Sequence, residues 1–192
     1  MKWTKEIAFL IGALEDGSLI KRAKIGDFSV EIEQKDKKWL EKIAENFKKA
    51  FSITPTITYR KDKNVWRLRV YSKKIAEKLE HYQKNLEELL YQSLEIQKSF
   101  LQAVYDAEGS VDKNKWRITL SNKKIELLLL LKKMLKNFGI ETQKIWHYKW
   151  GVKVLPITKK KNIILFYKLI GFSHSLKKRK LEKKIKSLAS PP

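Results

Sequence analysis

The chain has 192 residues, 43% of them apolar and 11% aromatic, enough to bury a sizeable core and too apolar for wholesale disorder. Its 43 Lys and Arg against 21 Asp and Glu leave a net charge of +22, an excess that costs stability through self-repulsion and points to a polyanionic partner. The absence of cysteine excludes disulfides, thiolate metal sites and Cys nucleophiles, and fits a reducing compartment, the cytoplasm.

In chain order, Ile7 to Leu14 is an apolar run behind Lys2 and Lys5. Glu15-Asp16 follows it with no small-residue cleavage site, so the run reads as a helix rather than a secretion signal. No run reaches the ~18 residues that cross a bilayer, so no membrane association is expected. The segment Phe9 to Ser18, FLIGALEDGS, closes the helix in acid-Gly-Ser. Strand alternation begins at Phe28, with Phe28, Val30 and Ile32 opposed to Ser29, Glu31 and Glu33, and passes into a helix that ends near Ile53. A hairpin follows, pairing Thr56 to Arg60 with Val65 to Ser72 across Lys61-Asp62-Lys63-Asn64. There Trp66, Leu68 and Val70 oppose Arg67, Arg69 and Tyr71. A helix near Lys73 to Leu79 and a linker helix over about Asn85 to Leu94 complete the first half.

The second half repeats this order. Phe100 to Ser110, FLQAVYDAEGS, is again an apolar helix closing in acid-Gly-Ser. In the next strand Trp116, Ile118 and Leu120 oppose Arg117, Thr119 and Ser121. A leucine-rich helix leads to a hairpin of Thr142 to Tyr148 with Val152 to Thr158, in which Lys153 opposes two valines. Helices near Lys159 to Ile170 and Leu176 to Leu188 finish the chain. The alternation gives each sheet an apolar face for helices and a polar, basic face with interleaved aromatics. The two carboxylates of the Phe28 strand sit awkwardly on a face meant for phosphate.

Charge is unevenly spread, net +5 over residues 1–96 and +17 over 97–192. Lys outnumbers Arg 37 to 6. Lys suits phosphate as a point charge, whereas the planar Arg fork suits guanine, so Arg22, Arg60, Arg67, Arg69 and Arg117 are the candidates for base reading. His81, His147 and His174 match no zinc spacing, and no phosphate-binding loop or nucleophile elbow occurs. The Trp residues are expected mostly in the core at strand positions, with Trp150 exposed at a hairpin tip. The run from Lys177 to Lys186 is a basic helix suited to clamping phosphate or to solvent.

The two acid-Gly helix ends carry the chemistry. Gly is expected after a helix because it tolerates the left-handed conformation. The acids are not expected, because the C-terminal end of a helix already carries about half a negative charge. Two helices making the same unfavourable choice imply an offsetting cation. Ala8 and Gly12 in one helix, and Ala103 and Ala107 in the other, give small faces for close approach. Side by side, the helices would bring Asp16 and Glu108 together, an arrangement for metal-assisted phosphodiester hydrolysis.

With these residues in view, the chain resembles a LAGLIDADG homing endonuclease of the two-motif, single-chain, archaeal-like type. Leu101 to Gly109 fits the nine-residue motif, and the repeat order and Ile170 to Lys180 also fit. In the first motif Gly12 stands four residues before Asp16, one fewer than the pattern; either a residue is deleted or the helix is rotated. Asp16 is taken as the functional acid over Glu15 because it directly precedes Gly17. The resemblance implies an α+β fold, a duplicated αββαββα with pseudo-twofold symmetry, over residues 1–94 and 95–192. Its motif helices would form the central interface, and two antiparallel sheets a saddle for the DNA major groove. It implies Asp16, Glu108, Gly17 and Gly109 as holders of Mg2+ or Mn2+, with Ca2+ binding without supporting cleavage. Gln34 and Lys35 would order water, Asn122 would stand at the equivalent turn, and Lys113 or Lys115 would be the central basic residue, with nothing in the sequence to single one out. DNA contacts would come from Arg22, Lys24, Arg60, Arg67, Arg69, Lys115, Arg117, Thr119, Lys144, His147, Lys149 and Lys153. The implied protein is a monomeric endonuclease acting on double-stranded DNA. An intron-RNA maturase, or a DNA-binding remnant on the same scaffold, are the alternatives.

Overall fold

A computed structural model describes residues 2–22 and 26–187. Lys24 and the expected helix end at Leu188 lie outside the described residues. Helix α1, Lys5–Ala13, is capped by Thr4, whose hydroxyl accepts from the Ile7 amide at 3.2 Å. Strands β1 (Gly17–Arg22) and β2 (Asp27–Gln34) follow, then α2 (Lys37–Phe51), β3 (Thr56–Arg60), β4 (Val65–Tyr71) and α3 (Lys73–Lys84). The second half gives α4 (Leu94–Glu108), β5 (Gly109–Val111), β6 (Arg117–Asn122), α5 (Ile125–Asn137), β7 (Trp146–His147), β8 (Lys153–Thr158) and α6 (Lys160–Leu169). Helix α7, Ser175–Lys186, ends the described chain. The fold is α+β: two four-stranded antiparallel sheets, ordered β1-β2-β4-β3 and β5-β6-β8-β7, repeat one topology.

The core lies between the sheets' apolar faces and the helices. Val30, Ile32, Leu68, Ile118, Leu120, Leu155 and Ile157 are buried from the sheets, against Leu40, Ile43, Phe47, Leu128 and Leu131 from α2 and α5. At the centre α1 packs along α4. A Cβ on Gly12 would lie 2.7 Å from the Phe100 carbonyl oxygen and 2.8 Å from Ala103 Cβ, so the small-residue face sets the approach of the two helices.

Four expectations need correction. Residues 86–91 form a 3-10 turn rather than the expected linker α-helix: Glu88 and Gln92 donate to carbonyls three residues back, and Ser93 starts α4. The strand expected over Thr142 to Tyr148 shrinks to Trp146–His147 plus one bridge, Thr142 to Ile157. Pro156 is the cause. Its carbonyl accepts from the Gln143 amide, so its nitrogen faces the same neighbour and has no proton to give. The fully buried tryptophans are Trp3, before α1, and Trp39, on α2, whereas Trp66, Trp116 and Trp146 are only half-buried. Trp150 is exposed as expected, at 90%.

The fourth correction concerns which way β8 faces. Lys153 pairs with Asn122, and Val154 with Ser121. Register partners share a face, so Lys153 and its neighbour His147 lie on the helix side with Leu120 and Leu155. Val154 lies with Arg117, Thr119 and Ser121.

Candidate active site and strand face

The first motif ends differently from the second. Helix α4 runs unbroken to Glu108, but α1 stops at Ala13 and Leu14–Asp16 tighten into a 3-10 turn. Three residues of 3-10 helix rise about 6 Å, as far as four of α-helix. Such a turn can make up the rise that the shorter spacing in the first motif removes.

Neither motif glycine is left-handed. Gly17 has φ −126° and Gly109 φ −77°, both extended, because each opens a strand. Space is what requires glycine. A Cβ at Gly17 would meet Ile32 Cγ1 at 2.9 Å, and one at Gly109 the Tyr105 carbonyl oxygen at 2.4 Å.

Asp16 and Glu15 lie close enough to Glu108 for their charges to act on it. Glu108 is pushed up from the usual carboxylate range by burial, then by the negative charges of Asp16 and Glu15; Lys177 and Lys124 oppose the rise. Asp16 is also pushed up by burial, opposed by a hydrogen bond from Gln34 Nε2 and by Lys177. Glu15, with its side chain only 6% exposed, turns to the second half. It accepts from Asn122 Nδ2 at 3.2 Å and pairs with Lys124 at 3.4 Å. Glu15, Glu108, Ser121 and Asn122 line an open cleft of about 430 Å3. Each half therefore ends its second strand in an amide, Gln34 or Asn122, set against an acid of the first motif. Lys35 is exposed beside Gln34.

The lysine set beside both acids is Lys177, which the sequence reading left in a basic helix suited to clamping phosphate or to solvent. Its Nζ donates to the carbonyl oxygens of Ala107, at 2.8 Å, and of Asp106 at the end of α4. It supplies the cation that an acid-bearing helix end calls for. Lys113, a sequence candidate, sits elsewhere. Its carbonyl accepts from Lys184, two turns or about 10 Å along α7 from Lys177.

A buried network aims Lys177. Asp106 is fully buried and accepts from the Trp39 indole at 3.2 Å and from the amides of Ser173 and His174 at 2.8 and 2.9 Å. Asp36 accepts from the Trp39 amide at 3.4 Å and the Ser175 amide at 2.6 Å, and lies 3.3 Å from His174 Nδ1. Two aspartates thus fix the entry to α7, and nothing in their spacing along the chain announces this.

On the first sheet the arginines and the awkward carboxylates occupy each other. Arg69 donates to Asp27 at 3.0 Å and to Ser29, and lies 3.5 Å from Glu31. Arg60 donates to Glu33 at 2.7 Å and to Asp62 at 2.6 Å, and Arg67 lies 3.8 Å from Glu31. Arg22 remains mostly exposed, 4.0 Å from Asp27. On the second sheet Arg117 pairs with Asp112 and lies over the Trp146 ring. Thr119 shares that face, while Lys115, Lys144 and Lys149 are exposed in the turns.

Among the described residues no group of three His, Asp or Glu side chains is placed to hold one metal ion. The carboxylate pair still fits a hard divalent cation, which takes one or two carboxylates and completes its shell from carbonyls, water and phosphate. Burial is the first cause of the rise in both carboxyls, and Lys177 opposes it in both.

A family model described as the LAGLIDADG-like domain matches residues 4–83 and 95–171. The chain belongs to the LAGLIDADG-like family. Among curated relatives, an uncharacterized protein of Methanocaldococcus jannaschii is 28% identical over 95% of this chain and 72% of its own length. A DNA polymerase of Thermococcus kodakarensis is 30% identical over 88% of this chain, which spans only 10% of that protein. The homing endonuclease I-DmoI in complex with DNA and Mn superposes with TM-score 0.69 at 26% identity, covering 86% of this chain and 96% of that one. The N-terminal LAGLIDADG domain of WhiA shares the fold at TM-score 0.63 and 18% identity, covering 87% of this chain and 81% of that one.

Proposed function

We propose that the protein is a site-specific double-strand DNA endonuclease. The observation that carries this reading is the placing of Asp16 and Glu108 at paired helix ends, with Gln34 bonded to Asp16 and Asn122 on the cleft that Glu108 lines. The likeness to I-DmoI, solved with DNA and with Mn, Mg or Ca, supports both the DNA partner and a divalent metal. In this reading Asp16, Glu108 and the carbonyls of Gly17 and Gly109 hold Mg2+ or Mn2+, and Ca2+ binds without supporting cleavage. The metal, when bound, lowers the pKa of a water and stabilises the leaving oxygen. Gln34, Lys35 and Asn122 orient water at the two scissile phosphates. Lys177, held on the α4 carbonyls, contributes positive charge where negative charge develops on phosphate.

Residues 1–94 and 95–192 act as two halves of one saddle, so one chain supplies both acids and a monomer suffices. Arg22, Arg60, Arg67, Arg69, Arg117 and Thr119 face the major groove, with Lys115, Lys144 and Lys149 on phosphate. Lys153 and His147 stand on the helix side and reach only backbone near the strand ends.

The test is cleavage of a randomised duplex library with Mg2+, with the cut ends sequenced. Wild type gives recurrent cuts; Glu108→Gln gives none and binds duplex within a few-fold of wild type. Retained double-strand cutting by Glu108→Gln overturns the assignment. Salt-sensitive binding with no cuts by wild type leaves a DNA-binding protein without nuclease activity.

A further inference from the structure

Helix α7 lies beyond residue 171, where the family model stops. Lys177, Lys180 and Lys184 share one stripe of it, at i, i+3 and i+7. Lys177 is held by the α4 carbonyls. The far end of the stripe enters a groove of about 550 Å3 between α7 and the β5–β6 turn, lined by Lys113, Trp116, Lys180, Lys183 and Lys184. Lys184 Nζ donates to the Lys113 carbonyl at 3.2 Å and lies 5.4 Å from the Trp116 ring centroid. Lys160 reaches the same ring from α6, at 5.6 Å. The indole therefore anchors two ammonium groups.

The one carboxylate on this lining does not neutralise the lysines. Asp112 accepts from the amides of Asn114 and Lys115, each at 2.9 Å, and from Arg117. These bonds hold its carboxyl down to about 2, and its charge is committed to them. Val111 also lines the groove and pairs with Ile118 in the ladder, so the groove opens on the side of the sheet opposite Arg117 and Thr119. Clustered ammonium groups around an already bordered indole suit a phosphodiester backbone. They do not suit stacked bases, which is how single strands are held.

We propose that this groove is a second DNA contact, gripping the backbone of duplex outside the part that lies on the strand faces, without reading sequence. It rests on the DNA reading above. The test is binding of the full chain to a 40-base-pair duplex of mixed sequence, followed by fluorescence anisotropy over a series of salt concentrations. The variants are Lys180→Gln/Lys183→Gln/Lys184→Gln, its all-Arg counterpart, and a control triple on α5, Lys132→Gln/Lys133→Gln/Lys136→Gln.

The groove triple is expected to weaken binding at least about tenfold. It should also flatten the slope of log K against log salt by about 2 to 3, roughly 0.9 for each lost phosphate contact. The Arg triple should restore both, and the α5 control should keep the wild-type slope. Equal losses in the groove and α5 triples overturn the groove. A loss confined to a 20-nucleotide single-stranded RNA, with duplex binding unchanged, also overturns it and assigns the lysines to RNA. Failure of wild type to bind duplex at all overturns the DNA reading itself, and the groove with it.

Discussion

Gly12 shows how one missing methyl group fixes the centre of the molecule. Its position against the Phe100 carbonyl oxygen, where a Cβ would lie at 2.7 Å, leaves no flexible neighbour to give way. Gly12→Ala is expected to destabilise the fold by about 1–3 kcal/mol through overpacking, read from urea midpoints. His174 gives a second residue-level expectation. Burial lowers its pKa, against the opposing pull of Asp36. Burial would raise Asp36, but the Ser175 amide and hydroxyl, then His174 and the Trp39 amide, hold it below the usual range. Both groups have folded values below their unfolded ones, so the stability they contribute is lost as pH falls, through the His174 window first, below about 6.5. His174→Asn should therefore flatten the wild-type fall in melting temperature between pH 7 and pH 5. An unchanged slope in thermal melts refutes the role given to His174.

At the level of elements, the first motif trades a residue for a change of helix type. The 3-10 turn at Leu14–Asp16 restores the axial rise and turns Glu15 toward Asn122 and Lys124. Insertion of one Ala after Ala13 lets the turn relax to α-helix with Asp16 near its present level. The expected change in melting temperature is only a few degrees, with loss of the Glu15–Lys124 pair. Collapse of the fold by more than about 10 °C contradicts the compensation. The strand faces differ in the same spirit. On the first sheet Arg22, Arg60, Arg67, Arg69 and Lys63 meet Asp27, Glu31, Glu33 and Asp62, so the face is close to neutral and its arginines are held in fixed forks.

Across the whole molecule, the carboxylate pair at the interface of α1 and α4 is part-buried, and Lys177 offsets its charge only in part. Burial, then the charges of Asp16 and Glu15, raise Glu108, and burial raises Asp16. A divalent cation binding there stabilises the folded chain by mass action. Differential scanning calorimetry at neutral pH should show Mg2+ raising the wild-type melting temperature and leaving Asp16→Asn/Glu108→Gln unmoved. The double variant without metal should melt no lower than wild type. Equal shifts in both proteins would place the cation elsewhere.

Local periodicity settled much of this protein before any tertiary contact. The first hairpin, the faces of β2, β4 and β6, the small-residue stripe of α1 and α4 and the duplicated acid-Gly ends all lie in short stretches of sequence. Alternation and helical spacing act within a few residues, so they are legible there. Tertiary structure decided the rest. The Pro156 break in β7 and the facing of Lys153 depend on register against β6. The extended glycines depend on what lies opposite them. Lys177 reaches the acids only because Asp106 and Asp36, each more than sixty residues from its farther partners, fix the start of α7. Such placements are set by packing between distant segments, and no spacing along the chain encodes them.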